Sequence, residues 1–116
     1  MTREDDRTIS QALLAARDAG RRCVLATIVA TKGSTPRKVG ARMLVDPVNG
    51  LVGTVGGGCG EAEVIESAHR VMITGDAERM SVDLTKDFLS WSPAVCGGVM
   101  DIFVELVAPA SDDEGE

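Results

Sequence analysis

Residues 23–32 read CVLATIVATK, an almost unbroken apolar run rich in β-branched side chains. A strand with one wet face alternates apolar and polar residues, whereas a strand covered on both faces needs no polar positions. The run therefore predicts a strand in the middle of a sheet, with material packed on either side. A chain of 116 residues, 44% apolar, supplies one such core, burying about two-thirds of its unfolded surface, and has no room for a second.

The remaining elements follow from periodicity. In ISQALLAARDA, residues 9–19, Ile9, Leu13, Leu14 and Ala16 fall on one side of a helix, with Gly20 where a C-cap belongs. ARMLVDPVNGLVGTV, residues 41–55, holds two short β-rich runs around an Asn-Gly turn and reads as a hairpin. From Glu61 to Thr74, Ala62, Ile65, Ala68 and Met72 recur at helical spacing, and Gly75 marks the stop. RMSVDLT and VMDIFVELV alternate with the two-residue period of strands, through Met80, Val82 and Leu84 and through Met100, Ile102, Val104 and Leu106. The order α-β-β-β-α-β-β predicts a single α/β domain, a mixed sheet of about five strands flanked by helices. Residues 1–108 are expected to form that domain, and 109–116, ending in SDDEGE, an acidic disordered tail.

Net charge is −6, with no basic stripe, and aromatic residues make up 3% with no Tyr. Neither duplex binding nor stacking of single-stranded bases is supported, so no nucleic-acid partner is expected. No apolar run approaches the ~20 residues of a membrane helix, and MTREDDRT is charged where a secretory signal is apolar. A cytoplasmic chain with no membrane partner is the expectation. The three cysteines, Cys23, Cys59 and Cys96, are odd in number, form no C-x-x-C pair and stand apart from the sole histidine, His69. That pattern argues against a disulfide framework or a structural zinc site. Cys23, at the start of the buried strand, reads as core.

Three segments without regular periodicity are left for chemistry: GSTPRKVG (33–40), GGGCG (56–60) and DFLSWSPAVCGG (87–98). Gly56, Gly57 and Gly58 precede a helix start, where unsatisfied backbone N–H groups and the helix dipole favour anions and lower a thiol pKa. Two readings stay open. The glycines cradle an anion beside a Cys59 thiolate, or they make a tight turn in which Cys59 is a small apolar residue. Neither the dinucleotide fingerprint nor the P-loop spacing is present. Glu61 and Glu63 complement the helix dipole or serve as acid and base. AVCGGVM repeats the theme, with Cys96 beside Gly97 and Gly98; if both thiols face one site, they suit a soft metal or a persulfide. In the first loop Ser34, Thr35, Pro36 and Arg37 offer hydroxyls, a rigid turn and a planar fork suited to phosphate, or else form an ordinary polar turn. Trp91 lids a pocket or covers the core.

GSTPRKVGARM, GTVGGGCGE and CGGVMDIFVE, in that order, resemble the XdhC/CoxI family, maturation factors of molybdenum hydroxylases such as xanthine dehydrogenase and carbon monoxide dehydrogenase. The likeness spans about residues 23–107. It implies binding of the molybdenum cofactor (molybdopterin), presentation to a cysteine desulfurase for sulfuration and delivery to the apo hydroxylase. By motif it implies cofactor contacts from Ser34, Thr35, Pro36 and Arg37, from Gly56, Gly57, Gly58, Cys59 and Glu61, and from Cys96, Gly97 and Gly98, with Cys59 and Cys96 as the reactive and metal-facing thiols. Longer members add a C-terminal Rossmann-type domain, so the likeness is to the N-terminal module, and a separate chain is expected to supply the rest. Gly60 stands where relatives often carry a bulkier apolar residue, which predicts a loosened helix start.

The leading expectation is a cofactor-binding insertion chaperone without turnover of its own. The alternatives are a sulfur-transfer enzyme that carries a persulfide on Cys59, and a structural partner subunit with inert cysteines. Strand edges make a homodimer a further expectation.

Overall fold

In the computed structural model, which describes residues 3–55, 60–84 and 97–109, CVLATIVATK is strand β1 (Cys23–Lys32). The hairpin is β2 (Arg42–Asp46) and β3 (Gly50–Gly53), and the last two strands are β4 (Glu78–Asp83) and β5 (Val99–Val107). They form one sheet ordered β3-β2-β1-β5-β4, so the apolar run is central as expected. Helices α1 (Arg3–Asp18) and α2 (Glu61–Thr74) lie over opposite faces.

Alternate residues of β1 enter different cores. Val24, Ala26 and Ile28 pack with Val64, Ala68 and Val71 of α2 and with Met100, Ile102 and Val104 of β5. Cys23 and Leu25 pack with Ile9 and Ala16 of α1 and with Leu44. Burying each of these larger side chains contributes about 1.5–3 kcal/mol relative to exposure, which is why the apolar first part of β1 lies inside the sheet and not at its edge.

The five strands and two helices occur in the expected order, but every pairing is antiparallel, where a mixed sheet was expected. A helix between two strands usually signals a parallel pair. Here the strands joined by α2, β3 and β4, lie at opposite edges with three strands between them, so their common direction creates no parallel contact. Two apolar stripes also differ from expectation. On α1, Ile9 and Ala16 are buried with Ala12 and Leu13 beside them, while Leu14, about 140° around the helix from Ile9, is 58% exposed. On α2 the buried positions are Val64, Ser67, Ala68 and Val71, with Ala62 exposed. Apolar residues occur on more than one side of that helix, and packing against the sheet selected among them. The Ser67 hydroxyl, inside the core, donates to Glu78 Oε1 at 2.8 Å, which satisfies it. Of the expected tail, residues 110–116 lie outside the described residues, as does Trp91.

One ion pair ties the entry of β1 to the β2–β3 turn. Arg21 Nε and Nη2 donate to Asp46 Oδ1 and Oδ2 at 3.2 and 3.0 Å. The backbone N–H groups of Val48 and Asn49 also donate to Oδ1, at 2.9 and 3.3 Å, so the carboxylate shapes the turn as well. The Arg21 hydrogen bonds, with help from the turn amides and against the opposing effect of burial, hold the Asp46 carboxyl down from 3.8 to about 2. A depressed folded pKa contributes stability above the unfolded value and loses it as pH falls through the folded one. Asp46 should thus supply about 2 kcal/mol near neutrality that disappears between about pH 5 and pH 2. Asp46→Asn should lower stability at pH 7 by about 2 kcal/mol and flatten the acid limb of a urea-midpoint profile; an acid limb as steep as the parent's would contradict this account.

Candidate functional site

Two of the three loops meet where β1 ends and β5 begins. Lys32 pairs with Val99, so the chain leaving β1 and the chain entering β5 start side by side. Gly98 is buried at this junction. A Cβ placed there would lie 2.5 Å from Lys32 O, 2.6 Å from Ser34 O and 2.8 Å from Thr35 Cγ2, closer than real Cβ contacts come. The absence of a side chain at Gly98 is therefore what lets the first loop rest on the third. Gly33 makes the reciprocal approach, against Gly97 O and Gly98 Cα. Gly97 itself is exposed with open space around it. Gly98 O accepts from Leu84 N at 2.9 Å, which joins the end of β4 to the same junction.

Within the first loop Thr35 and Arg37 are half-buried and Ser34 and Pro36 exposed. Thr35 Oγ1 donates to Arg37 O at 2.9 Å, turning the backbone between them and spending the hydroxyl inside the loop. The expectation of a hydroxyl directed at a ligand thus rests on Ser34 rather than Thr35.

The second loop reaches this end of the sheet through its last residue. Gly60 caps α2 at φ 85°, in the left-handed region that glycine adopts without cost. A Cβ there would also lie 2.6 Å from Val82 Cγ1. The expected loosening of the helix start is replaced by a physical requirement: a bulkier residue would be strained and would collide with β4. Glu61, the first residue of α2, accepts a hydrogen bond from Thr54 Oγ1 at 3.1 Å, so the residues flanking 55–60 are tied together. In the sequence Thr54 reads only as part of a hairpin, because nothing local distinguishes a hydroxyl that will bridge seven residues onward. Gly56, Gly57, Gly58, Cys59 and Cys96 lie outside the described residues. Cys23 is buried in the α1 core, and burial pushes its thiol pKa up, as a core cysteine requires. Among the described residues no three His, Cys, Asp or Glu side chains gather as a metal-binding group, and no helix is long and apolar enough to cross a membrane.

Charge is unevenly distributed. Between Asp18 and Asp46 there is no Asp or Glu, and the interval holds six of the twelve Lys and Arg residues: Arg21, Arg22, Lys32, Arg37, Lys38 and Arg42. Lys32, Arg37 and Lys38 lie at the end of β1 and in the first loop, and the register brings Asp83 and Asp101 of the neighbouring strands to the same end of the sheet.

The profile of the XdhC and CoxI family matches residues 16–83. The chain belongs to that family. A Bacillus subtilis protein described as a probable xanthine dehydrogenase subunit is 36% identical over 89 residues, covering 72% of this chain and 26% of that protein. The uncharacterized protein YqeB of Escherichia coli is 33% identical over 82 residues, covering 71% of this chain and 15% of that one. A crystal structure described as a xanthine dehydrogenase from Bacillus halodurans superposes with a TM-score of 0.71 at 31% identity, over 84% of this chain and 30% of the other. This XdhC-type chain thus spans less than a third of the length of each. The family match covers the first two loops, and the Gly98 junction lies beyond it.

Gly98→Ala should lower unfolding stability by about 1–3 kcal/mol, because two backbone carbonyls must move. Gly97→Ala, one residue away in open space, should leave it unchanged or raise it by up to about 1 kcal/mol. Chemical denaturation of the pair reads the contrast directly, and equal stabilities would refute the close approach.

Proposed function

We propose that this chain is a cofactor-handling segment of a molybdenum-hydroxylase maturation factor: it binds the molybdenum cofactor and presents it to an apo enzyme of the xanthine dehydrogenase type. The observation that carries the reading is the seating of the first loop, which bears Arg37 and Lys38, on Gly98. Membership of the XdhC and CoxI family and a relative described as a probable xanthine dehydrogenase component support the choice of ligand and client.

The residues suit the group's anionic end. Arg37 carries a planar fork of donors and Lys38 a mobile ammonium, next to Ser34, in a stretch free of carboxylates, and phosphate is held well by such a set. The glycines at 56–58 would add backbone N–H donors, and Cys59 and Cys96 would supply soft sulfur toward the metal end. Glu61, held by Thr54, anchors the helix that follows the second loop. When bound, the cofactor supplies the metal centre that the client hydroxylase uses. The task left to this chain is to hold the phosphate, shield the ligand from water and release it to the client.

Cofactor content after co-production in cells that make the cofactor tests this, read as pterin fluorescence after oxidative release. Arg37→Ala should reduce retention about tenfold, the worth of one charge-assisted contact, and Cys59→Ala and Cys96→Ala should each reduce it. Full retention in all three variants would end the binding hypothesis.

A further inference from the structure

A second feature of the same sheet end lies on the face opposite α2. β1 pairs regularly with β5 until Ile28 faces Ile102; the next partners are Ala30 and Asp101, so Val29 is an extra residue in a bulge. The bulge coincides with the end of the β1–β2 ladder, where Ile28 instead exchanges backbone hydrogen bonds with Gly40 and Ala41, each at 2.9 Å. One inserted residue reverses which side chains share a face. After it, Thr31 opposes the buried Met100, while Ala30 and Lys32 stand opposite Asp101 and Val99 on the other face. Helix α1 packs on β2 and β3 and leaves this part of the sheet to a groove of about 380 Å³ lined by Ala30, Thr31, Lys32, Val99 and Asp101. That volume falls within the roughly 300–1,000 Å³ of small-molecule sites.

The groove is chemically asymmetric. Ala30 and Val99 give it apolar surface, Lys32 a cation and Asp101 a carboxylate. Ser81 Oγ donates to Asp101 Oδ1 at 2.6 Å and Arg79 Nη2 to Oδ2 at 3.3 Å, which fixes the orientation of the carboxylate. Each oxygen has a second lone pair and so an acceptor place left. The Ser81 bond first, then Arg79, keeps this carboxyl below its ordinary pKa, so it stays an ionised acceptor at neutral pH. The groove is continuous in sequence with the loop junction, since Lys32 precedes Gly33 and Val99 follows Gly98.

We propose that this groove seats the ring system of the ligand whose phosphate the first loop holds: a flat heterocycle with two adjacent N–H donors on one edge, the amino-pyrimidinone edge of a pterin, directed at Asp101. The inference rests on the cofactor reading above and gives a role to Ala30, Lys32, Val99 and Asp101, which are not among the cofactor contacts that the family resemblance implies. A carboxylate's two oxygens match two neighbouring N–H donors in the manner of other bidentate pairs. The Ala30 and Val99 side chains offer the ring an apolar seat, and Lys32 faces the anionic remainder of the ligand. The bulge is the device that makes the site, because without it Lys32 and Ala30 would point into the α2 core.

Two variants test this independently. Asp101→Asn keeps the shape and removes the bidentate acceptor; Ala30→Phe fills the groove at a half-exposed strand position that accepts an aromatic ring. Both are produced alongside the parent and the distant control Ile73→Lys, at a position 85% exposed on α2, in cells that make the cofactor, with thermal unfolding followed in parallel. The expected result is parent-like unfolding of at least one groove variant, a tenfold or greater loss of retained pterin in it, and full retention in the control. A loaded parent with equally loaded groove variants would overturn the groove assignment and leave the cofactor reading standing. A parent that retains no pterin would overturn both. Loss of retention only in groove variants that no longer unfold cooperatively would count against the assignment as well, because the effect would then belong to the fold.

Discussion

Burial of β1 on both faces is the constraint to which the other elements answer. Cys23 and Leu25 need α1 above them, and Val24, Ala26 and Ile28 need α2 below. A strand of this kind cannot lie at an edge, so the hairpin must pair on one side of it and β5 on the other. Once β1 is central, its end is flanked by the start of β5 through the Lys32–Val99 register, and two glycine-bearing loops are forced together. The position of the candidate site is therefore a by-product of hydrophobic packing.

The same strand changes character along its length. From Cys23 to Ile28 it is core; from Val29 onward it has left β2 and runs with β5 alone among the described residues. The bulge at this change of partner turns a packing element into one that presents Lys32 beside Asp101. At the adjoining junction, close packing is achieved by removing side chains: Gly98 and Gly60 bring main chain against main chain and against Val82. Both features place polar backbone and charged groups at the rim of a tightly packed sheet, where rigid neighbours hold them in position.

Electrostatics follow a similar division. The acidic excess of the whole chain hides a middle stretch without a single carboxylate between Asp18 and Asp46. At one end of the sheet, Arg21 from this stretch is used structurally, paired with the buried Asp46. At the other, Arg37 and Lys38 sit in the loop that closes on Gly98. An average charge thus says little about what a particular end of so small a molecule attracts, because exposed charges more than about 10 Å apart are largely screened from one another.

The order of the elements, the central place of β1, the bounds of α2 and β5, the burial of Cys23 and the family likeness were all legible in the sequence. Each depends on residues close together in the chain or on the simple rule that apolar runs leave water. The exclusion of Leu14 and Ala62 from the buried faces of α1 and α2, the wholly antiparallel pairing, the Thr54–Glu61 tie and the Ala30–Asp101 groove were not legible. Leu14 and Ala62 have the same local periodicity as their buried neighbours, and only the sheet beneath the helix separates them. Asp101 looks like any outward-facing strand residue until the bulge at Val29 brings Lys32 to its side. Local patterns determine what can be a strand, a helix or a turn; the register between strands distant in the chain decides which side chains meet, and that register emerges only when the whole core has been packed.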